Sequence, residues 1–304
     1  MTLIRRNLRM AAAAVLSCMS VLAVMSVGPA GSCGAGEAGP CEARLAQLAE
    51  PTARPTGIIG AKDHRVQVAS DQYPWSAIGR INVPLGRNRI ACTGTLTGPR
   101  QVVTAAHCLF NSMVNQWAKP GSVHFVLGQS GGEKFLSHSA VDSFVTSPDF
   151  KFKLEDRPRY DQIAADMIKN DWAILTLHDT LNAKPIPILP FHGVDPPALG
   201  SGAEIALAGY GIDHAYVLSV HRGCSARIDS SDSGTIVHTC DSAHGESGGP
   251  ILLLRDGDAS LIGIHSVSIQ QFESQVGYRA LAGKGAAASQ FAKAAAAAAG
   301  SKEP

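Results

Sequence analysis

From Ile58 onward the chain is written in short apolar runs cut by turn residues. Segments such as "SAIGRINV", "GTLTG", "RQVVTAAH", "SVHFVLG" and "WAILTL" have the length and β-branched content of strands. After them comes a Pro-rich connection, Lys184 to Gly202, and then a second set: "AEIALAGYG", "GTIVHTC", "PILLL" and "SLIGIHSVSI". Two clusters of short strands separated by such a linker predict an all-β chain built as two barrels or sandwiches. The stretch Phe150 to Lys169 is densely charged and reads as a surface loop with a short helix. Gly285 to Pro304 carries "AAASQFAKAAAAAAG", and alanine's helix propensity predicts a C-terminal helix ending at Gly300. Its few large side chains leave that helix little to bury.

The first 57 residues follow another pattern. Arg5, Arg6 and Arg9 precede an apolar run, Met10 to Val27, and then "VGPAGS". A positive start, an apolar middle and small residues form a secretory signal, here residues 1–30 with cleavage after Ala30. A membrane anchor is the rival reading, and the run is short for a span. "IRRNLRM" and "VLSC" loosely resemble a twin-arginine signal and a lipoprotein box. Residues 31–57, rich in Gly, Ala, Pro and Glu, read as a leader, pro-segment or linker.

Composition narrows the picture. With 26 Lys+Arg against 25 Asp+Glu, nothing points to nucleic acid as a partner. Seven cysteines become six once the signal is removed: Cys33 and Cys41, Cys92 and Cys108, Cys224 and Cys240. An exported chain keeps disulfides, whereas no CxxC or HExxH spacing argues for a metal.

Three stretches carry candidate chemistry: "TAAHC" (Thr104 to Cys108), "NDWAIL" (Asn170 to Leu175) and "GESGGP" (Gly245 to Pro250). A Ser hydroxyl is a weak nucleophile that needs a base, and imidazole can take and return a proton near neutral pH. Singly each stretch says little. Together, in this order, they resemble the chymotrypsin family of trypsin-like serine peptidases over roughly Ile58 to Ala282. The resemblance implies two antiparallel six-stranded β-barrels, about 58–183 and 203–284, with residues 285–304 as an Ala-rich helix or tail. It implies His107 as general base, Asp171 as its orienting carboxylate and Ser247 as nucleophile, with the N–H groups of Gly245 and Ser247 as the oxyanion hole. It also implies the disulfides Cys92–Cys108 and Cys224–Cys240, and leaves Cys33 with Cys41 open. No cofactor is needed for such catalysis. Protein or peptide substrates, and protein protease inhibitors, are the implied partners.

Specificity divides the sequence. "DSAHGESGGP" resembles trypsin's "DSCQGDSGGP", which would put Asp241 at the base of the primary pocket and favour cleavage after Arg or Lys. Ala243 stands where that family has a pocket-rim cysteine. "GIHSVS" resembles instead the pocket wall of glutamyl endopeptidases, where His265 and Ser268, with Ser266 between them, would receive an acidic side chain. We expect the basic preference, with acidic or broad specificity as the alternative. "GIIGAKD" with "YPW" resembles the mature N-terminus of zymogen-type members. That resemblance makes the freed amine of Ile58 the expected partner of Glu246, although Gly57 precedes Ile58 where an Arg is usual.

The sequence thus predicts a secreted or periplasmic serine endopeptidase, free of the membrane once its signal is removed. A catalytically inactive binding protein on the same scaffold and a metal-dependent hydrolase are the rivals.

Overall fold

The computed structural model describes residues 57–85, 88–111, 114–151, 165–191, 202–273 and 277–300. The expected signal, leader, Cys33, Cys41, most of the charged insert and half of the Pro-rich linker lie outside the described residues.

The first half contains β1 (Val66–Gln67), β2 (Ile78–Leu85), β3 (Asn88–Gly98), β4 (Gln101–Thr104), the small hairpin β5 (Phe110–Asn111) and β6 (Gln116–Trp117), β7 (His124–Leu127), β8 (Ser137–Thr146), helix α1 (Ala165–Lys169) and β9 (Ala173–Leu177). Six of these strands close into an antiparallel barrel in the order β2-β3-β4-β9-β8-β7, with β7 returning to β2. The period-2 pattern sets which side chains enter it: Ile81 and Val83 on β2, Phe125 and Leu127 on β7, Ala173, Leu175 and Leu177 on β9. Burying each such side chain contributes about 1.5–3 kcal/mol. Gly79 is required here, because a Cβ would stand 2.4 Å from the Phe125 ring.

The second half contains β10 (Glu204–Gly209), β11 (Ser219–Cys224), β12 (Ala226–Asp229), β13 (Asp232–His238), β14 (Pro250–Arg255), β15 (Asp258–Glu273), β16 (Gly277–Ala287) and helix α2 (Ala288–Gly300). Here the expected second six-stranded barrel is met only in part. The strands form one eight-stranded antiparallel sheet, β1-β11-β10-β14-β15-β16-β13-β12. Its outer strand β1 is borrowed from the start of the described chain, through Val66 opposite Val220 and Gln67 opposite Ser219. The next strand, β11, runs through Ser225 directly into β12 at the far edge, so the chain itself bends the sheet round. Cys224–Cys240 pins that bend, and Cys92–Cys108 links β3 to the turn after β4. Closing a loop of this length stabilises by about 3 kcal/mol.

Helix α2 buries more than its composition suggests. Ala288, Phe291 and Ala295 join the larger apolar core, and Gln101 Nε2 of β4 donates to the Ala295 carbonyl at 2.8 Å.

Candidate active site

His107 lies in the short 3-10 turn Ala106–Leu109 that follows β4. Asp171 lies between α1 and β9, its N–H held by the Ile168 carbonyl. Register across β4 and β9, with Thr104 opposite Ala173, brings the two together. Asp171 is buried and accepts twice from His107: from the backbone N–H at 2.8 Å and from Nδ1 at 2.6 Å. That contact places the imidazole proton on Nδ1 and leaves Nε2 able to accept one. Burial opposes the charged imidazole, but the carboxylate outweighs it and raises the His107 pKa above 6.5.

Ser247 sits in the turn before β14, and the first barrel shapes that turn. Thr93 of β3 donates its N–H to the Ser247 carbonyl at 2.9 Å and its hydroxyl to the Gly245 carbonyl at 3.0 Å. Cys108 Sγ lies 3.7 Å from the Ser247 carbonyl and 3.9 Å from His107 Nε2, so the Ser247 turn and His107 flank one disulfide. Ser247 Oγ itself has no hydrogen bond among the described residues. The Ser–His contact of a triad often tightens only when substrate binds.

Gly245 and Gly248 both have positive φ, at 96° and 78°. At Gly248 a Cβ would stand 2.2 Å from Thr104 Oγ1 and 2.5 Å from the Thr93 carbonyl, so glycine is required. The turn is held further by His244 O accepting from Ile212, Glu246 N donating to Ala243 and Gly249 N donating to Glu246. Among the described residues, the N–H groups of Gly245 and Ser247 donate to nothing. They are available to an oxyanion.

Two residues beside this turn meet other partners than expected. Asp241 is buried, and both its oxygens are taken by the chain's own 59–64 segment rather than facing a substrate. Oδ1 accepts from Ile59 N–H at 2.7 Å; Oδ2 accepts from His64 N–H at 2.8 Å and lies 2.9 Å from His64 Nδ1. Its own N–H donates to His221 Nδ1 at 2.7 Å, and burial lowers that imidazole's pKa. Nor is Ile58 the partner of Glu246 in the uncut chain. Arg65 Nη1 donates to Glu246 Oε1 at 2.7 Å, and both side chains are almost fully buried. Glutamate reaches one methylene further than aspartate, and a guanidinium from the neighbouring segment meets it there. Burial pushes the Glu246 carboxyl up to about 7 against the pull of Arg65.

The wall residues do come together. His265 is joined to the nucleophile turn by its backbone: Gly248 N–H donates to its carbonyl at 2.7 Å, and its N–H to Gly249 O at 2.9 Å. Behind it stands His238, which sequence reading missed, with Nε2 3.0 Å from His265 Nδ1. Cys240 N–H donates to His238 Nδ1 at 3.2 Å. Gly283 makes the room, since a Cβ there would stand 2.0 Å from the His238 ring. Ser268 Oγ pairs with Ser242 Oγ at 2.9 Å, and the buried Ser266 Oγ has no partner among the described residues.

Among the described residues, two groups of side chains have metal-ligand proximity. In the first, Cys92 and Cys108 form a disulfide, which leaves no thiolate beside His107. In the second, His64, His221 and Asp241 are committed to the hydrogen bonds above.

Comparison with known proteins agrees with this geometry. The family model described as Trypsin matches residues 65–282. Proclotting enzyme of Tachypleus tridentatus is 27% identical over 69% of this chain, and the match spans 59% of that relative. Glutamyl endopeptidase of Bacillus licheniformis is 32% identical over 66 residues, 22% of this chain and 20% of the relative. Among solved structures, a Glu endopeptidase in complex with MPD superposes with a TM-score of 0.56. It covers 81% of this chain and 100% of its own at 19% identity, which speaks to fold.

Proposed function

Because the chain belongs to the trypsin family, we propose that it is an exported serine endopeptidase that cuts after acidic residues. In this reading Ser247 Oγ attacks the scissile carbonyl while His107 Nε2 takes its proton. The oxyanion forms against the Gly245 and Ser247 N–H groups. His107 then protonates the leaving amine, and water, deprotonated by the same nitrogen, hydrolyses the acyl-enzyme. Asp171 holds the tautomer and balances the imidazolium. Protein and peptide substrates, and protein inhibitors that imitate them, are the partners this chemistry admits. The leading segment Arg5 to Ala30 supports delivery outside the cytoplasm.

The observation that carries the specificity is the His238–His265 pair. Cys240 N–H occupies the lone pair of His238 Nδ1, so the His238 proton resides on Nε2. That N–H donates to His265 Nδ1, so His265 in turn carries its proton on Nε2. Burial keeps both rings neutral, with the His238 pKa pushed down to about 4 and that of His265 well below 6.5. His265 is therefore fixed as a hydrogen-bond donor, with the hydroxyls of Ser266 and Ser268 nearby along the same strand. Donors without a carboxylate suit an acidic side chain. With Asp241 committed elsewhere, nothing comparable among the described residues favours Arg or Lys. The short match to a glutamyl endopeptidase points the same way.

A panel of peptides varied only before the scissile bond tests this. Glutamate should exceed arginine and glutamine by about 10²-fold or more in kcat/KM. His265→Gln should erase most of that margin. Preferred cleavage after arginine would refute the acidic reading. Failure of Ser247 to react with a fluorophosphonate would refute catalysis and favour a binding protein on this scaffold.

A further inference from the structure

Four charged side chains converge behind the nucleophile turn. Arg65 donates through Nη1 to Glu246 at 2.7 Å, through Nη2 to Asp63 at 2.9 Å and to Asp213, and through Nε to Asp63 at 3.1 Å. The Arg65 side chain is only 3% exposed, and Glu246 only 1%. The three carboxylates hold the guanidinium's charge firmly in spite of its burial. The fork is aimed by backbone on both sides: Arg65 directly precedes β1, which is hydrogen-bonded to β11. Gly209 and Gly211 leave the passage open. A Cβ on Gly209 would stand 2.7 Å from Glu246 Cγ, and one on Gly211 3.1 Å from Arg65 Nη1 and 2.4 Å from Asp213.

Glu246 lies between Gly245 and Ser247, the two residues whose N–H groups face the oxyanion. Its carboxylate is the side-chain anchor of that peptide segment. Meanwhile the segment that would supply a freed amine is tied elsewhere. Gly57 O accepts from Ser242 N at 3.1 Å, and Ile59 N–H donates to Asp241 at 2.7 Å. All these contacts form while Ile58 is still in peptide linkage to Gly57.

We propose that Arg65 is an internal activating cation: it, and not an amine freed at Ile58, holds Glu246 and so keeps the oxyanion hole formed in the uncut chain. The inference rests on the endopeptidase reading but not on the acidic specificity. Processing of the leader, where it occurs, then removes a segment without building the catalytic turn. Arg65 acts through Glu246 and touches no substrate; it is a positioning residue.

The test uses the full chain and a fluorophosphonate, whose reaction with Ser247 needs no particular peptide. Wild type with Gly57–Ile58 intact should label. Arg65→Met should label about 10²–10³-fold more slowly, the effect of losing an oxyanion donor. Its affinity for a peptide aldehyde should fall in step with kcat, while KM stays within about threefold of wild type, a split that loose folding would not give. Arg65→Lys should recover part of the rate, as a cation without the fork. Ile205→Val, in the core of the second sheet, serves as a mildly destabilised control that should label normally. Should Arg65→Met misfold, Glu246→Gln, which keeps a neutral hydrogen bond to Arg65, should still slow labelling while folding normally. Labelling of Arg65→Met or Glu246→Gln at the wild-type rate would overturn the proposal. So would a wild type that labels only after an amine is freed at Ile58. A wild type inert in both forms would remove the endopeptidase reading together with it.

Discussion

Asp171 in the first half and Asp241 with Glu246 in the second are buried carboxylates around the proposed nucleophile, Ser247, yet their fates differ. Asp171 is met by a single residue, His107, whose far ring nitrogen can take up a proton while the carboxylate balances the resulting charge. Asp241 and Glu246 are met by residues 59–65: backbone N–H groups, His64 and a guanidinium that cannot give up its proton. Both arrangements satisfy the cost of burying a carboxylate. Only the first leaves an imidazole nitrogen beside the Ser247 turn. What decides function is the segment that reaches the carboxylate, and the carboxylate's own residue type decides little.

The comparison breaks most sharply at the first pair. Ser247→Ala or His107→Ala should lower turnover by about 10⁴–10⁶-fold, and Asp171→Asn by about 10⁴-fold, in steady-state hydrolysis of an activated ester or peptide. Acidity sharpens it. Protonated His107 is inactive and its pKa is raised, so kcat/KM should fall as pH drops through a value above 6.5. Asp171→Asn removes the charge responsible and should move the residual activity's acid limb to lower pH.

On the other side, Asp241→Asn should leave the acid-over-basic preference unchanged within about threefold in the peptide panel. It should instead cost about 1–3 kcal/mol in urea unfolding, because backbone N–H groups lose their charged acceptor. A large gain or loss of arginine cleavage would put Asp241 back in the pocket. Thr93→Val removes a hydroxyl that donates to Gly245 O and accepts from Tyr210 N–H at 2.9 Å. It should slow fluorophosphonate labelling about tenfold, with a smaller loss of stability. The smallest effect lies at the surface. The Lys284 ammonium holds the Asp229 carboxyl down at about 2. The stability it contributes is present above the usual carboxylate range and lost as pH falls through about 2. Lys284→Met should therefore cost less than about 1 kcal/mol near neutral pH and nothing in strong acid, by thermal unfolding across that range.

Much of this was legible in the chain because it is local. Runs such as "WAILTL" and "PILLL" carry their strand identity in their own alternation and length, and "TAAHC" and "GESGGP" carry their turns in their glycines. The C-terminal helix follows from alanine alone. What was not legible depends on partners far along the chain. Asp241 meets Ile59 across 182 positions, and Arg65 meets Glu246 across 181. Local spacing cannot rank Arg65 above Ile58, seven residues earlier, as the partner of one buried charge. Two signals were present nonetheless. A buried glutamate calls for a cation, and "KDHR" supplies one beside the first strand; and "GTIVHTC" places His238 on the apolar face of a strand, where a histidine needs a partner. The part β1 plays in the second sheet was hidden for the same reason, because two residues at Val66 and Gln67 give no strand signal of their own.

Helix α2 has a consequence for when the enzyme can come into being. It grows from the last strand of the second sheet, yet Gln101 of the first barrel grips it, and Phe291 lies in the apolar core that includes the first barrel's strands. It is also the final element in chain order. During vectorial synthesis or export, the barrel bearing His107 and Asp171 can be complete while this strap is still missing. The histidine's barrel and the serine's sheet thus receive one further clasp, beyond that of Thr93 on the Ser247 turn, only after the strands of both have been made, so the finished form of the cleaving machine comes later than either half.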